Sequence, residues 1–302
     1  MNLAHFGLNS RPFRPTLDTQ IFYPTQSHAT ALHLLKSAFQ AQDGLVLLDG
    51  DAGCGKTLVA LKFLESLDDD TPRILITAPR FHRPTDLFQA ILFDMGMAYL
   101  GQSEQELRLA VTEKLLKTVV EEGRTVLMLD ESQHLSADCL EELRLLSNLE
   151  TRSTKALFIL LVAQPSLRER LSKPELASFS QRLGARPRIE PLEREEAARF
   201  IWNQLQACGG QPAELISEEA LNLLTAHCHG LPRLLNQVAW TSFVLAESVE
   251  AENVDTEAVQ EALVQLGLWK PDESEVAMPE SSVEELPLIK PQRGRPAKKK
   301  SA

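Results

Sequence analysis

The sequence predicts an α/β domain whose parallel sheet is flanked by helices, followed by an all-helical lid domain and a disordered tail. Short apolar segments alternate with helical patterns between residues 45 and 163, and this alternation is the order that produces a parallel sheet. After Pro191 the strand patterns stop, and amphipathic helices follow one another. From Lys270 onward the chain is acidic and rich in proline and has little periodicity, which is typical of disorder.

Each predicted strand is a short apolar run bounded by turn-forming or charged residues. The predicted strands cover residues 45–50, 73–78, 125–130 and 156–163. Helical patterns cover residues 27–42, 57–67, 84–95, 104–121 and 139–149 in this half of the chain, and 193–207, 217–227, 231–247 and 255–266 after it.

The segment before these elements, FGLNSRPFRPTLDTQIFYPT at residues 6–25, predicts an extended arm because it contains prolines and several turn formers. We therefore divide the chain into four parts. They are an N-terminal arm and helix (1–44), the α/β domain (45–190), the helical domain (191–268), and a linker with a basic tail (269–302).

The composition of the chain excludes several classes of protein. Of 302 residues, 43% are apolar and 24% are charged, as in ordinary globular proteins. The longest apolar run, residues 156–163, is far shorter than the ~18–20 residues that span a bilayer. The N-terminus has no signal-peptide pattern, so we expect a cytoplasmic protein without a membrane span. Four scattered cysteines without C-x-x-C spacing indicate neither a zinc site nor a disulfide framework.

Residues 50–57 read GDAGCGKT, which fits G-x-x-x-x-G-K-[ST], the phosphate-binding loop of many nucleotide hydrolases. A predicted strand precedes it and a predicted helix follows it, which is the context that the motif requires. We expect Lys56 to reach the β and γ phosphates of ATP and the Thr57 hydroxyl to bind Mg²⁺. The predicted nucleotide-binding residues are Gly50, Asp51, Ala52, Gly53, Cys54, Gly55, Lys56, Thr57 and Leu58.

Two carboxylates follow the predicted strand VLML at residues 126–129. Ligands bind at the carboxyl edge of open α/β sheets, so both side chains are expected at the nucleotide. We expect Asp130 to hold the Mg²⁺ shell and Glu131 to act as the base that polarises the attacking water. At the end of the next strand, Gln164 is placed to contact the γ phosphate or that water; a polar residue of an ordinary turn is the alternative.

Arginines in two segments are candidates for stabilising the charge of the transferring phosphoryl group. The first segment offers Arg182, Arg186 and Arg188 as a finger supplied to a neighbouring subunit, with Arg182 favoured and surface ion pairing as the alternative. In the second segment, Arg233 lies in the first turn of a predicted helix, where a positive charge is repelled by the helix dipole. This unfavourable electrostatic energy suggests that an anionic ligand lies nearby.

Together, the phosphate-binding loop, acid pair, strand-end glutamine, arginines and helical domain resemble the AAA+ ATPases. The stretches FGLNSRPFRP, DESQHLSADCLEELRLLSNLET and GLPRLLNQVA look like the general secretion pathway protein A group, to which transposon target-selection ATPases are related. The resemblance covers about residues 3–268. It implies that Gly50–Thr57 form the Walker A motif and that Asp130 and Glu131 form Walker B. It also implies that Gln164 is sensor 1, Arg182 the arginine finger and Arg233 sensor 2. Phe22, Tyr23 and His28 would pass near the adenine.

The resemblance has departures. Ser132 stands where alanine is usual after the acid pair, and Cys54 where threonine or serine is common. Members of the secretion type carry a membrane span and a peptidoglycan-binding region after the ATPase, and neither appears in this sequence. The resemblance implies a homo-oligomeric ATPase that acts as an assembly switch, for which association with DNA is one hypothesis. The alternatives are a secretion or envelope-assembly ATPase that acts through protein partners, and a nucleotide-dependent scaffold that does not hydrolyse ATP.

The last 13 residues, 290–302, are basic and contain no acid, whereas the whole chain has a net charge of −11. Within them, Arg293, Gly294, Arg295 and Pro296 resemble an AT-hook core. Such an Arg-Gly-Arg sequence fits a narrow A·T minor groove, and the lysines beside it add phosphate contacts. The tail predicts DNA binding, with a solubilising basic tail as the alternative.

Overall fold

The computed structural model describes residues 2–14, 22–77, 79–152 and 154–269 of the chain. Within these residues, five parallel strands form one sheet in the order β2-β3-β4-β1-β5. The strands are β1 (Leu45–Gly50), β2 (Arg73–Ile76), β3 (Thr125–Leu129), β4 (Leu157–Ala163) and β5 (Arg188–Ile189). The first four confirm the sequence prediction. The fifth was not predicted, because two residues are too short for a periodic pattern.

Helices cover both faces of the sheet, as predicted. They are α1 (Gln26–Gln40), α2 (Lys56–Glu65), α3 (Pro84–Asp94), α4 (Glu104–Glu121), α5 (Ala137–Leu146), α6 (Pro165–Leu171) and α7 (Ala177–Ser180). Alternate residues of β1 point to opposite faces. Leu45 and Leu47 pack in the core beneath α3, α4 and α5, whereas Val46 and Leu48 pack in the core beneath α1 and α2.

Helix ends follow from local capping residues. Ser103 and Glu106 form a complete capping box at the start of α4. The side chains of Thr25 and Ser136 accept hydrogen bonds from the first turns of α1 and α5. These caps satisfy backbone N–H groups that the helices leave unpaired, so each helix begins at a defined residue.

The second half of the described chain is helical, with α8 (Arg194–Ala207), α9 (Pro212–Leu215), α10 (Glu218–His227), α11 (Pro232–Ser248) and α12 (Thr256–Gln265). Four of these were predicted; the single turn α9 was not. They enclose a separate hydrophobic core. The predicted boundary near residue 191 lies between β5 and α8.

The N-terminal segment differs from the predicted extended arm. Residues Leu3–Phe6 form a 3-10 helix, and Phe6, Leu8 and Phe13 are buried in the core of the helical domain. Asn9 N–H donates to the carbonyl of Cys208 at 2.8 Å. The arm (residues 2–14) therefore packs on the helical domain, and not on the sheet that follows it in sequence.

Two predictions concern membranes and the tail. In the part of the chain that the structure describes, no helix combines the length and the apolar character that crossing a membrane requires. The predicted disordered tail, including Arg293, Gly294, Arg295 and Pro296, lies outside the described residues.

Candidate nucleotide-binding site

The phosphate-binding loop joins the carboxyl end of β1 to the first turn of α2, as the sequence predicts. Gly53 and Gly55 have φ angles of 83° and 96°, a region that residues with a Cβ rarely adopt. Space also requires glycine, because a Cβ on Gly53 would lie 2.9 Å from Cβ of Arg233, and one on Gly55 would lie 2.9 Å from Nε2 of His28. The loop is therefore held closely from both sides, and the N–H groups of the first turn of α2 are directed at an anion site.

Lys56 and Thr57 lie at the start of α2. Lys56 is 6% exposed as a residue, and its ammonium group donates to the carbonyl of Asp51 at 2.8 Å. The Lys56 side chain thus folds back over the loop. A carbonyl is a weaker partner for an ammonium group than a phosphate oxygen is, so an incoming phosphate can replace it.

Thr57 and Asp130 meet although they are 73 residues apart. The Thr57 hydroxyl donates to Oδ2 of Asp130 at 2.7 Å, and Oδ1 of Asp130 accepts from the N–H of Glu131 at 2.9 Å. A hydroxyl and a carboxylate side by side form the oxygen donor set that Mg²⁺ prefers. These two residues therefore fit the ion predicted for them.

Glu131 directly follows Asp130 and has φ 56° and ψ 36°, the left-handed conformation. Its carboxylate oxygen Oε2 accepts from Nε2 of Gln164, at 3.3 Å. Gln164 follows β4, the strand next to β3 in the sheet. The structure thus brings the predicted base and the predicted sensor together at one edge of the sheet.

Two residues at this edge were missed by the sequence analysis. Gln133 donates through Nε2 to Oε2 of Glu131 at 2.5 Å, and Arg170 donates to the carbonyl of Gln133 at 2.7 Å. A glutamine three residues after Asp130 was visible in the sequence. Nothing in its local pattern distinguished it from the polar residues of an ordinary turn.

Arg233 lies over the phosphate-binding loop, as its predicted role requires. Its N–H donates to the carbonyl of Gly53 at 3.2 Å, and its side chain is exposed. The helical domain thus touches the loop at the first turn of α11. A change in the position of α11 would move this guanidinium relative to the phosphates.

The three arginines between α7 and α8 differ in their contacts. Arg188 pairs with Glu190, the two side chains lying 3.3 Å apart, and Arg186 donates to the carbonyl of Ser180. Arg182 is exposed, and within the described ranges its guanidinium has neither a hydrogen bond nor an ion pair. Of the three, Arg182 is thus the guanidinium available to another molecule.

A cleft opens beside the loop, between α1, α2 and the helical domain. Phe22, Tyr23 and His28, predicted to lie near the adenine, line it together. The wall opposite belongs to the helical domain and contains Phe200, Gln204, Pro232 and Asn236, which the sequence analysis did not identify. Because these residues are far from the loop in sequence, their role appears only in three dimensions.

Two amide side chains supply the polar groups of the helical wall. Gln204 is 8% exposed, and Oδ1 of Asn236 is shielded from solvent and accepts no hydrogen bond from the described residues. The ring of Phe22 lies 5.7 Å from that of His28. Aromatic walls with a few polar groups are typical of sites for small planar ligands.

His28 connects α1 to the loop. Its Nε2 lies 2.8 Å from the carbonyl of Cys54, and Nδ1 lies 2.9 Å from the hydroxyl of Thr25. A carbonyl only accepts, so Nε2 carries the proton and donates. Burial lowers the pKa of His28 below its ordinary value, although the hydrogen bond to Cys54 and the charge of Glu196 act in the opposite direction. The imidazole is therefore held neutral.

Comparison with known proteins identifies the family of this site. A model of the AAA domain family matches residues 40–171. General secretion pathway protein A of Aeromonas hydrophila is 33% identical over 248 residues, which cover 82% of this chain and 45% of that protein. The chain thus spans less than half the length of this relative.

Solved structures show the same fold at low sequence identity. The Aeropyrum pernix ORC2 protein, in ADPNP and ADP complexes, superposes with a TM-score of 0.62 at 15% identity, covering 86% of this chain and 71% of that one. The A. pernix ORC1 protein in complex with DNA gives 0.63 at 18% identity, covering 84% and 68%. The fold, the matched domain and the secretion relative agree with the resemblance predicted from sequence. The chain therefore carries an AAA domain at residues 40–171 with a P-loop AAA+ fold, and it resembles General secretion pathway protein A.

Proposed function

We propose that this chain binds ATP with Mg²⁺ in the cleft beside the phosphate-binding loop and hydrolyses it. The observation that carries the proposal is the hydrogen bond between Thr57 and Asp130, with Glu131 next to them. This contact supports a magnesium-binding pair beside the base, at the end of the loop that bears Lys56. The ADPNP and ADP complexes of the ORC2 protein with the same fold support a nucleotide as the ligand.

The proposed roles follow from the contacts of each residue. Lys56 leaves the carbonyl of Asp51 and binds phosphate oxygens, while Thr57 and Asp130 hold the metal ion. Bound Mg²⁺ would neutralise charge on the phosphates. Glu131 takes a proton from a water that attacks the γ phosphorus. The bond to the bridging oxygen breaks, and ADP and phosphate leave.

Arg233 and Arg182 are proposed to link this reaction to the rest of the assembly. Arg233 belongs to the helical domain and touches the loop, so it connects the presence of the γ phosphate to the position of that domain. Arg182 is exposed and unpaired within the described ranges, which suits a guanidinium supplied to a neighbouring subunit. Hydrolysis would then act as a switch of assembly.

Two substitutions test the reaction in the full-length protein. We expect Lys56→Ala to abolish the binding of a fluorescent ATP analogue, because it removes the main cation for the phosphates. Glu131→Gln should still bind, and should hydrolyse ATP about 100-fold or more slowly, which is the usual contribution of a general base. Lys62→Ala, a half-buried lysine of the same helix that pairs with Glu65, and Glu122→Gln, which is exposed, serve as controls. Hydrolysis at the wild-type rate by Glu131→Gln would contradict the assignment of the base.

Association with DNA is a second candidate, favoured by the basic tail at residues 290–302. A protein of the same fold, ORC1, is seen in complex with DNA. We expect the full chain to shift an A·T-rich duplex at low salt, and expect removal of residues 290–302 to abolish the shift. Failure of the full chain to bind the duplex would favour work through protein partners, as the name of the secretion relative suggests.

A further inference from the structure

We infer that Gln133 is a positioning residue for hydrolysis: its amide holds the Glu131 carboxylate against the end of β4. The inference rests on the proposed function, because it concerns how the base of that reaction is oriented. Gln133 lies in the short 3-10 turn Ser132–His134, directly after the acid pair.

The Glu131 side chain needs such a support. Its backbone adopts a left-handed conformation that a residue with a Cβ avoids unless surrounding contacts enforce it. Its side chain is only partly buried and has several rotatable bonds, so packing alone does not select one orientation. Hydrogen bonds to the carboxylate are therefore what can fix the direction of the base.

Gln133 provides this support with both atoms of its amide. Nε2 donates to Oε2 of Glu131 at 2.5 Å, and Oε1 accepts from the N–H of Gln164 at 3.1 Å. The amide orientation is determined by its partners, because an N–H can only donate and a carboxylate can only accept. Gln133 thus bridges the ends of two neighbouring strands, with Nε2 also 3.3 Å from Nε2 of His134.

The turn that carries Gln133 is itself anchored to α6. The guanidinium of Arg170 donates to the carbonyl of Gln133 at 2.7 Å and to that of Leu135 at 2.9 Å. Gln164 lies at the start of the same helix and donates to Oε2 of Glu131 at 3.3 Å. Both donors to the carboxylate are thereby tied to one rigid element.

The arrangement leaves the other oxygen of Glu131 available. Both side-chain amides bind Oε2, and Oε1 accepts no hydrogen bond from the residues that the structure describes. The second carboxylate oxygen is therefore the one that can accept the proton of water. Within the described residues, Gln133 makes no hydrogen bond to Lys56 or Thr57, so we expect it to act in the chemical step and not in nucleotide binding.

Steady-state kinetics of the full chain test this role. Gln133→Met keeps the length of the side chain and removes both hydrogen bonds. We expect kcat to fall about tenfold or more, because misplacing a reacting group by about 1 Å has effects of that size. KM for ATP and the Kd of a fluorescent ATP analogue should stay within about twofold of wild type. Gln260→Met, an exposed substitution in α12, is the matched control.

A second variant and a double variant separate positioning from a structural effect. Gln133→Glu keeps the acceptor for Gln164 and places a like charge beside Glu131, so it should lower kcat with nucleotide affinity retained. In the Glu131→Gln background, Gln133→Met should cause little further loss, since the proposed effect of Gln133 on the rate depends on the Glu131 carboxylate.

The outcomes distinguish the two proposals. A slow Glu131→Gln together with a normal kcat in both Gln133 variants overturns the positioning role and leaves the proposed function standing. The positioning role is also overturned if the fold-losses in kcat of Glu131→Gln and Gln133→Met multiply in the double variant. The proposed function itself is overturned if the wild-type protein does not hydrolyse ATP, or if Glu131→Gln hydrolyses ATP at the wild-type rate.

Discussion

His28 shows how one buried side chain can hold the phosphate-binding loop in shape. It is 4% exposed, and its Nε2 donates to the carbonyl of Cys54 inside the loop. In the neutral ring, Nε2 donates to Cys54 and Nδ1 accepts from the Thr25 hydroxyl, and the lowered pKa of His28 favours this form. The loop geometry is thus connected to the protonation state of a residue on α1.

This connection predicts a pH dependence of stability. Burial lowers the folded-state pKa of His28 below the ordinary 6.5, so the unfolded chain binds a proton more readily than the folded one. The stability that neutral His28 contributes is complete above that ordinary value and is lost as pH falls below it. His28→Gln should therefore show a smaller fall in Tm than wild type between about pH 7.5 and about pH 5.5.

The control for this prediction is His82→Gln, since His82 is exposed. This variant should lose as much Tm on acidification as the wild type does. Equal pH dependence of wild type and His28→Gln in thermal denaturation would show that His28 does not contribute in this way.

At the scale of elements, the N-terminal arm packs on the helical domain, and Arg14 at the end of its described residues lines the cleft. Phe6 packs edge-on against Phe243 of α11 with ring centroids 5.0 Å apart, and the guanidinium of Arg11 lies 3.9 Å from the ring centroid of Trp240. Further along the chain, Phe22 and Tyr23 line the cleft. The arm is therefore part of the helical domain by packing, although it is remote from it in sequence.

The burial of Phe13 predicts a stability effect within the helical domain. Phe13 is 2% exposed, so Phe13→Ala should cost about 3–5 kcal/mol of unfolding free energy. The three tryptophans, Trp202, Trp240 and Trp269, all lie in the helical domain. Urea unfolding followed by tryptophan fluorescence thus reports on the domain that the arm supports.

The matched control is Phe93→Ala, because Phe93 is 67% exposed. This change should alter the unfolding free energy by no more than about 0.5 kcal/mol. An unchanged urea midpoint in Phe13→Ala would mean that the arm does not stabilise the helical domain in solution.

For the whole molecule, the position of Arg182 bears on its proposed role as a finger for a neighbouring subunit. Gly184 N–H donates to the carbonyl of Leu45 at 3.0 Å, which places this segment at the amino end of β1. The phosphate-binding loop follows the carboxyl end of the same strand, roughly 17 Å away at the usual rise per residue. Arg182 therefore lies far from the loop of its own chain, as a finger for a neighbour must.

Subunit mixing tests this arrangement. We expect Arg182→Ala and Glu131→Gln each to be nearly inactive as ATPases. Mixed in equal amounts, they should recover activity, because about a quarter of randomly formed interfaces combine an intact Glu131 with an intact Arg182. The measurement is the ATPase rate of the mixture against each variant alone.

As a comparison, Arg188→Ala replaces Arg182→Ala in the mixture with Glu131→Gln, since Arg188 already pairs with Glu190. Activity lost in Arg188→Ala and recovered on mixing would reassign the finger to Arg188. A mixture of Arg182→Ala and Glu131→Gln that stays inactive would rule out action of Arg182 between subunits.

Local sequence was enough to predict the strands β1 to β4 and the loop between β1 and α2. The loop is eight consecutive residues whose glycines and Lys-Thr pair meet a local geometric requirement. Asp130 and Glu131 were predictable because a buried parallel strand must end before two carboxylates. In each case the physical cause lies in neighbouring residues, so a short stretch of sequence contains it.

Contacts between distant residues were decided only by the tertiary structure. Strand β5 exists through its pairing with β1, and Gln133 reaches Gln164 only because β3 and β4 lie side by side. The helical wall with Asn236, and the packing of Phe13 on the helical domain, join residues separated by most of the chain. Sequence alone was sufficient for the phosphate-binding loop and for the two carboxylates after β3, because the order of these groups along the chain follows local rules. Only the folded chain decided how Glu131 is held and what closes the cleft, because long-range packing leaves no periodic pattern in the sequence.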